Sequence, residues 1–322
     1  MIKKLLKGTE LAVSPIALGT TSFSSPLDDG QSGKLMDDFI ASGGNFFDTA
    51  NCYGRWLSDG LPHCEMALGR LVKARNNRHD IIISSKGAHP IFNTMHIPRM
   101  SEKEVLFDLE DSLKNMQTEY IDLYFLHRDD PSKDVSEIMT MLNKFIKSGK
   151  IRYIGCSNWS AERISAANEF CAKENLQPFV VDQNLMNLAK VNPETLTGSF
   201  QTYSDEKTIE LYNGGLTAMP YSSQAGGLFT KMCQADFMEN NKYKHLRHSY
   251  LNDETLKRSE RVNEFAEKNG YEPTQIALAW LINQSFTCIP IVGSNTPERL
   301  DDAVKATEIK FTKDEIIYLG GK

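Results

Sequence analysis

Short apolar runs and helical stretches alternate along this chain about eight times, and nearly every apolar run ends in polar residues. The runs are Ile16–Thr20, Asn45–Asp48, Ile81–Lys86, Ile121–His127, Ile151–Gly155, Phe179–Asn184, Leu216–Tyr221 and Thr287–Val292. Runs apolar on both sides are the signature of parallel strands covered by helices. Helical spacing fills the gaps, at Lys34–Ala41, Cys64–Ala74, Ser101–Met116, Val135–Lys147, Ala161–Glu174 and Glu206–Tyr212. Later come Asp253–Lys268, Thr274–Gln284 and Pro297–Ala306, the last helix expected. Ser101-Glu102-Lys103-Glu104 has capping-box form, and Ser42-Gly43-Gly44 is a helix stop. Eight strand–helix units favour a closed (β/α)₈ TIM barrel over an open sheet. No GxGxxG joins an early strand to a helix, which weakens a Rossmann reading. Residues 3–13, alternating about Gly8-Thr9, predict a short β-hairpin ahead of the barrel.

The chain has 322 residues, a length that such barrels reach as one domain, so a single domain over 1–322 is expected. A net charge of −6 and a pI near 5.7 argue against a nucleic-acid surface. The apolar part of Met1–Leu6 is far too short for a signal peptide, which points to the cytoplasm and away from a membrane. The six cysteines are scattered without CxxC spacing or a histidine cluster of metal-ligand spacing, so no metal site is expected. They read as reduced packing residues; Cys52, beside the proposed site, reads as core or loop filler or as a reactive thiol. A polar insertion is expected from about Lys231 to Tyr250. No heptads announce a partner, and oligomeric state is left open.

In a barrel of this kind the C-terminal strand ends make one face, where active sites lie. Asp48, Lys86, His127, Ser157, Asn158, Gln183, Tyr221 and Ser222 stand at those ends, with Tyr53 in the loop after Asp48. Taken singly each has a plainer use: Asp48 as a turn cap, Lys86 as a solvated lysine, His127 as a structural histidine. Gathered on one rim they form an acid/base site. A free tyrosine has a pKa of about 10, and a nearby ammonium is expected to pull it down. Asp48 would hold the charge on Lys86, and His127 would hydrogen-bond a substrate oxygen or relay a proton with Tyr53. Such an acid is suited to protonate a carbonyl oxygen while a hydride reaches the carbon.

These motifs resemble the aldo-keto reductase family, in a bacterial-type branch. The match rests on Asn45–Ala50 with Tyr53-Gly54, Ser85-Lys86, Tyr120–Tyr124 with Leu126-His127, Gly155–Asn158, Gln183 and Ile289–Gly293. The resemblance implies reduction of aldehydes or ketones with NADP(H) bound in extended form. It carries the catalytic tetrad onto Asp48, Tyr53, Lys86 and His127, with Tyr53 as general acid. It also puts Ser157, Asn158 and Gln183 on the nicotinamide carboxamide, Tyr221 against its ring, and Ser222, Gln224 and Gly226 along the pyrophosphate. The stretch Gly293–Arg299 would face the adenosine phosphate, where Gly293 replaces a lysine common in relatives. Arg299, helped by Ser294, then becomes the partner of the 2′-phosphate, and use of NAD(H) alongside NADP(H) stays open. Trp56 follows Tyr53 and is a candidate for substrate contact. Arg128 and Asp129 suggest a salt bridge at the rim near the substrate, or simply a solvated charge run opening a loop. Polar loops hint at a sugar or small polar carbonyl. Two other readings stand beside this one: a Schiff-base aldolase using Lys86, and a cofactor-binding regulatory subunit.

Overall fold

The computed structural model describes residues 1–196 and 203–321. Eight parallel strands form one sheet: β3 (Ala17–Gly19), β4 (Phe46–Asp48), β5 (Ile82–Gly87), β6 (Ile121–Leu126), β7 (Ile151–Ser157), β8 (Phe179–Gln183), β9 (Thr217–Ala218) and β10 (Ile291–Gly293). They neighbour one another in chain order, and β10 returns to pair with β3. The ring closes through residues just before β10. Ala218 N donates to Thr287 O (3.0 Å), Ile289 N to Ala218 O (2.8 Å) and Ile291 N to Pro220 O (3.0 Å). The fold is a (β/α)₈ barrel.

Strand alternation sorts the side chains into two cores. Phe46, Ile82, Leu123, Phe125 and Val181 pack together inside the barrel, while Phe47, Ile83, Tyr124 and Leu126 face the helices. The hairpin β1 (Lys4–Leu5) with β2 (Ala12–Val13) plugs the bottom, with Leu6, Leu11 and Val13 joining the inner cluster. The same alternation puts Asp48 on the face of Phe46, and Lys86 on the face of Ile82 and Ser84. Both therefore point into the barrel at its upper end. Gly155 on β7 makes room for this filling, because a Cβ there would meet the Phe125 ring at 2.4 Å.

Most helices lie where spacing predicts them, and Val135–Lys147, Ala161–Glu174 and Pro297–Ala306 match residue for residue. The helix Asp29–Ala41 begins five residues earlier than expected, fixed by a capping box between Asp28 and Gln31. A further helix, Lys313–Gly320, follows the one expected to be last, with its own box of Thr312 and Glu315. The stretch read as a polar insertion is instead folded. It contains the helix Lys244–Tyr250 and buries Phe237, Tyr243, Leu246 and Tyr250 against the helices Asp253–Asn269 and Pro273–Ile282. Among the described residues no helix is long and apolar enough to cross a membrane.

Candidate active site

At the upper end of the barrel Lys86 and Asp48 form a buried ion pair, Nζ to Oδ2 at 2.6 Å. Lys86 also donates to Thr49 O (2.6 Å). The second carboxylate oxygen accepts from Ser84 Oγ (2.7 Å) and Gln183 Nε2 (3.1 Å). Each charge thus has a charged partner and further hydrogen bonds, the condition for holding an ion pair out of water. Tyr53 lies over it: Lys86 Nζ is 4.9 Å from the centre of the Tyr53 ring. The His127 ring stands edge-on to Tyr53 at 6.0 Å.

Burial first, and then the charge of Asp48, push the Tyr53 phenol well above its usual pKa. This corrects the expectation of a lowered value. The ammonium that was to pull it down is neutralised by Asp48 at contact distance, so Tyr53 rests as a protonated acid. His127 is driven the other way, well below the usual imidazole range, first by burial and also by the nearby charges of Lys86 and Arg128. It is a neutral hydrogen-bonding group, which leaves a proton relay through imidazolium without support. His89, held to about 4 chiefly by burial, is also neutral; its Nδ1–H donates to Pro90 O (2.6 Å).

A cleft of about 750 Å³ runs from this acid along the mouth of the barrel, within the range of small-molecule sites. Asp48, Tyr53, His127, Ser157, Asn158, Gln183 and Tyr221 line its inner part. Ser222, Gln224, Gly226, Gly293, Ser294 and Arg299 line the outer part. Of the expected site residues, Lys86 lies behind the lining, under Asp48. Trp56 stands beside the mouth, half exposed, 6.1 Å from the Tyr53 ring and 6.3 Å from that of Phe92.

The inner wall is braced by its own hydrogen bonds. Asn158 donates to His127 O (3.1 Å) and to Ser157 Oγ (2.9 Å), and accepts from the Tyr221 hydroxyl (2.8 Å). Ser157 Oγ donates to Gln183 O (2.7 Å). Asn158 has φ +61°, a left-handed conformation that asparagine tolerates better than most residues. With its amide nitrogen on Asp48, Gln183 presents its Oε1 as the remaining acceptor. In the outer part, Ser222 (φ +51°), Ala225 (+48°), Gly226 (+65°) and Gly227 (+75°) make a tight left-handed loop. Gln224 Nε2 anchors that loop to Thr274 Oγ1 (2.9 Å), and Ser223 Oγ to Ile291 O. Gly293 has open space around it where a side chain would start.

Two charged residues of the cleft lining, Lys231 and Asp302, were not foreseen. Lys231 lines the outer end, where it donates to Gly226 O (2.6 Å) and feels the charge of Arg299. It sits in the stretch read as an insertion, so only the folding of that stretch brings it here. Asp302 lies at the same end. Arg128 was expected in a rim salt bridge with Asp129 or in a solvated charge run, and the structure shows neither. Asp129 is taken by Arg163 through two hydrogen bonds of 2.9 Å, while Arg128 turns into the cleft beside Tyr53, His127 and Tyr221. Spacing along the chain also hid a cluster in space. Potential ligand atoms of Cys52, His89 and His127 gather within 4.8 Å. Burial pushes the Cys52 thiol up to about 12, so near neutral pH it is a thiol in hydrogen-bond contact with His127 Nδ1 (3.5 Å).

Comparison with known proteins decides the family. Residues 15–321 match the profile described as the Aldo/keto reductase family. The chain belongs to that family. It is 28% identical to the uncharacterized oxidoreductase YrpG of Bacillus subtilis, over 95% of this chain and 91% of that protein. It is likewise 28% identical to norsolorinic acid reductase B of Aspergillus parasiticus, over 98% and 82%. A putative aryl-alcohol dehydrogenase of Saccharomyces cerevisiae is 26% identical, over 99% and 85%. An aldo/keto reductase is an oxidoreductase, and its kin support carbonyl reduction as the general chemistry.

Proposed function

We propose that this chain reduces an aldehyde or ketone to an alcohol with NADP(H), Tyr53 acting as general acid. One observation carries the reading: the half-buried Tyr53 phenol stands over the Lys86–Asp48 pair and beside His127, at the inner end of a long cleft. The residues fit the cofactor in kind. The Tyr221 ring offers a face for a flat heterocycle, Ser157 and Gln183 offer hydrogen-bonding groups for an amide, and Arg299 with Lys231 offers charge for a phosphate. The nicotinamide supplies the hydride when bound. His127 would hold the carbonyl oxygen, and Tyr53 would pass its proton to that oxygen as negative charge develops. The tyrosinate left behind would be steadied by Lys86, whose ammonium lies 4.9 Å from the ring. NAD(H) is a second possible donor, since Gly293 leaves the phosphate end short of one cation.

The Lys86–Asp48 pair speaks against the Schiff-base aldolase. An amine in contact with a carboxylate and absent from the cleft lining is a poor nucleophile. The regulatory-subunit reading gains no observation of its own. Trp56 and Phe92 form an aromatic rim that supports a substrate with a flat or apolar body. This agrees with the names of the fungal and yeast relatives more than with a sugar. Tyr53→Phe tests the core of the proposal. Loss of one general acid should lower kcat by about 100-fold or more, with NADPH affinity in a fluorescence titration nearly unchanged. Activity that survives the change would overturn the mechanism.

A further inference from the structure

Arg128 directly follows His127, and its side chain lines the inner cleft with Tyr53, His127 and Tyr221. It makes no hydrogen bond or ion pair with any described residue, and its Nε is shut off from water without an acceptor. The nearby carboxylates are committed elsewhere. Asp129 is held by Arg163, Asp130 accepts from Ser132, and Asp48 holds Lys86. A half-buried cation left without a counter-charge is costly, and its fork of donors suits a carboxylate or phosphate. Its charge reaches Tyr53, Tyr221, Cys52 and His89, so it stands at the reacting end of the cleft. The outer end has its own cations in Arg299 and Lys231.

We propose that Arg128 is a substrate-binding residue that selects anionic carbonyl compounds, pairing with a carboxylate or phosphate carried by the aldehyde or ketone. The inference rests on the carbonyl-reductase reading and names the substrate class for it.

The test compares substrates that differ in charge: 4-carboxybenzaldehyde with benzaldehyde, succinic semialdehyde with butanal, and glyceraldehyde 3-phosphate with glyceraldehyde, at saturating NADPH. The wild-type protein should favour the charged member of at least one pair by about tenfold or more in kcat/KM, the scale of a charge-assisted hydrogen bond. The carboxylate and phosphate pairs separate the two kinds of anion. Arg128→Met should remove that preference, mainly through KM, with neutral substrates changed less than about threefold and NADPH affinity within about twofold. Arg128→Lys, which keeps the charge and loses the fork, should retain part of it. An equal loss on charged and neutral substrates would overturn the proposal, since it would show Arg128 serving Tyr53 alone. Absence of any charge preference in the wild type would overturn it too. Calorimetric binding of 4-(hydroxymethyl)benzoate and benzyl alcohol to the NADP⁺-loaded protein separates this inference from the reading beneath it. Carboxylate binding lost in Arg128→Met, in a protein that reduces none of the aldehydes, would keep the anion site and remove the reductase. Equal binding of the two alcohols would remove the anion site whether or not the protein turns over.

Discussion

The buried pair of Lys86 and Asp48 sets up a prediction in which stability and activity part company. In Lys86→Met the Asp48 carboxylate keeps Ser84 and Gln183 as donors and loses the one charged partner it has among the described residues, Nζ at 2.6 Å. Stranding one member of a buried ion pair costs about 3–5 kcal/mol. Asp48→Asn strands the ammonium instead, with Thr49 O at 2.6 Å and an amide oxygen as partners, and should cost a similar amount. In the double variant neither charge remains, and the asparagine can still accept from Ser84. Its loss should be only about 1–2 kcal/mol, so the cycle should show a coupling of about 4 kcal/mol or more. Urea unfolding at pH 7, followed by circular dichroism, gives the four stabilities. Turnover follows the opposite rule: all three variants should be strongly impaired, because none keeps the paired ammonium and carboxylate beneath the Tyr53 ring. Single-variant losses that add within about 0.5 kcal/mol in the double variant would refute the claim that the pair is held as two mutually compensating charges. Recovery of turnover along with stability would refute its part in the chemistry.

Other predictions concern the two ends of the site. Gly293 has room for a side chain and lies at the outer cleft, so Gly293→Lys should tighten NADPH by about tenfold with little effect on NADH. Arg299→Ala should loosen NADPH by a similar factor, and fluorescence titration reads both. Burial lifts the Asp182 carboxyl from 3.8 to about 7, against the opposing hydrogen bond from Tyr212 (2.6 Å). The folded protein therefore binds this proton more tightly than the unfolded chain. The resulting stability is whole below about pH 4 and is lost as the pH rises to about 7, about 4 kcal/mol in all. Asp182→Asn should lack that part of the pH profile, and a wild-type-minus-variant difference that stays flat from pH 4.5 to 8 would contradict the shift.

Strands and most helices were legible because their cause is local. The run Ile81–Ile83 and the spacing of Val135–Lys147 carry their burial pattern on their face. The strand ends told which residues meet, since topology alone brings Asp48, Lys86, His127 and Gln183 to one rim. What stayed hidden depends on distant contacts. Phe237, Tyr243, Leu246 and Tyr250 are spread among polar residues, and only the neighbouring helices make them a core. The helix Asp29–Ala41 starts in Asp29-Gly30-Gln31-Ser32-Gly33, which shows no apolar period, so its capping box is the sole local sign. The proton affinity of Tyr53 was misjudged because burial of the phenol and the charge of Asp48 outweigh the pull of the lysine that Asp48 itself pairs with. Arg128 was misplaced for a related reason: its neighbour Asp129 looked available, and Arg163, a helix away, had taken it.

The arrangement of charge then has a consequence for what the cleft can hold. Asp48 and Lys86 cancel each other beneath its floor, and among the described residues Asp302, at the outer end, is the other acid in its lining. Arg128 stands at one end, Arg299 and Lys231 at the other. On a chain of net charge −6 these cations make a local field of the opposite sign to the whole, which draws anions into the cleft rather than to the surface at large. A cofactor phosphate can satisfy the outer cations but leaves Arg128 without a partner at the end where the carbonyl would sit. Completing that balance falls to the substrate. A neutral aldehyde would leave a half-buried guanidinium uncompensated through every turnover, whereas an anionic one would be held by it and aimed with its carbonyl toward Tyr53 and His127.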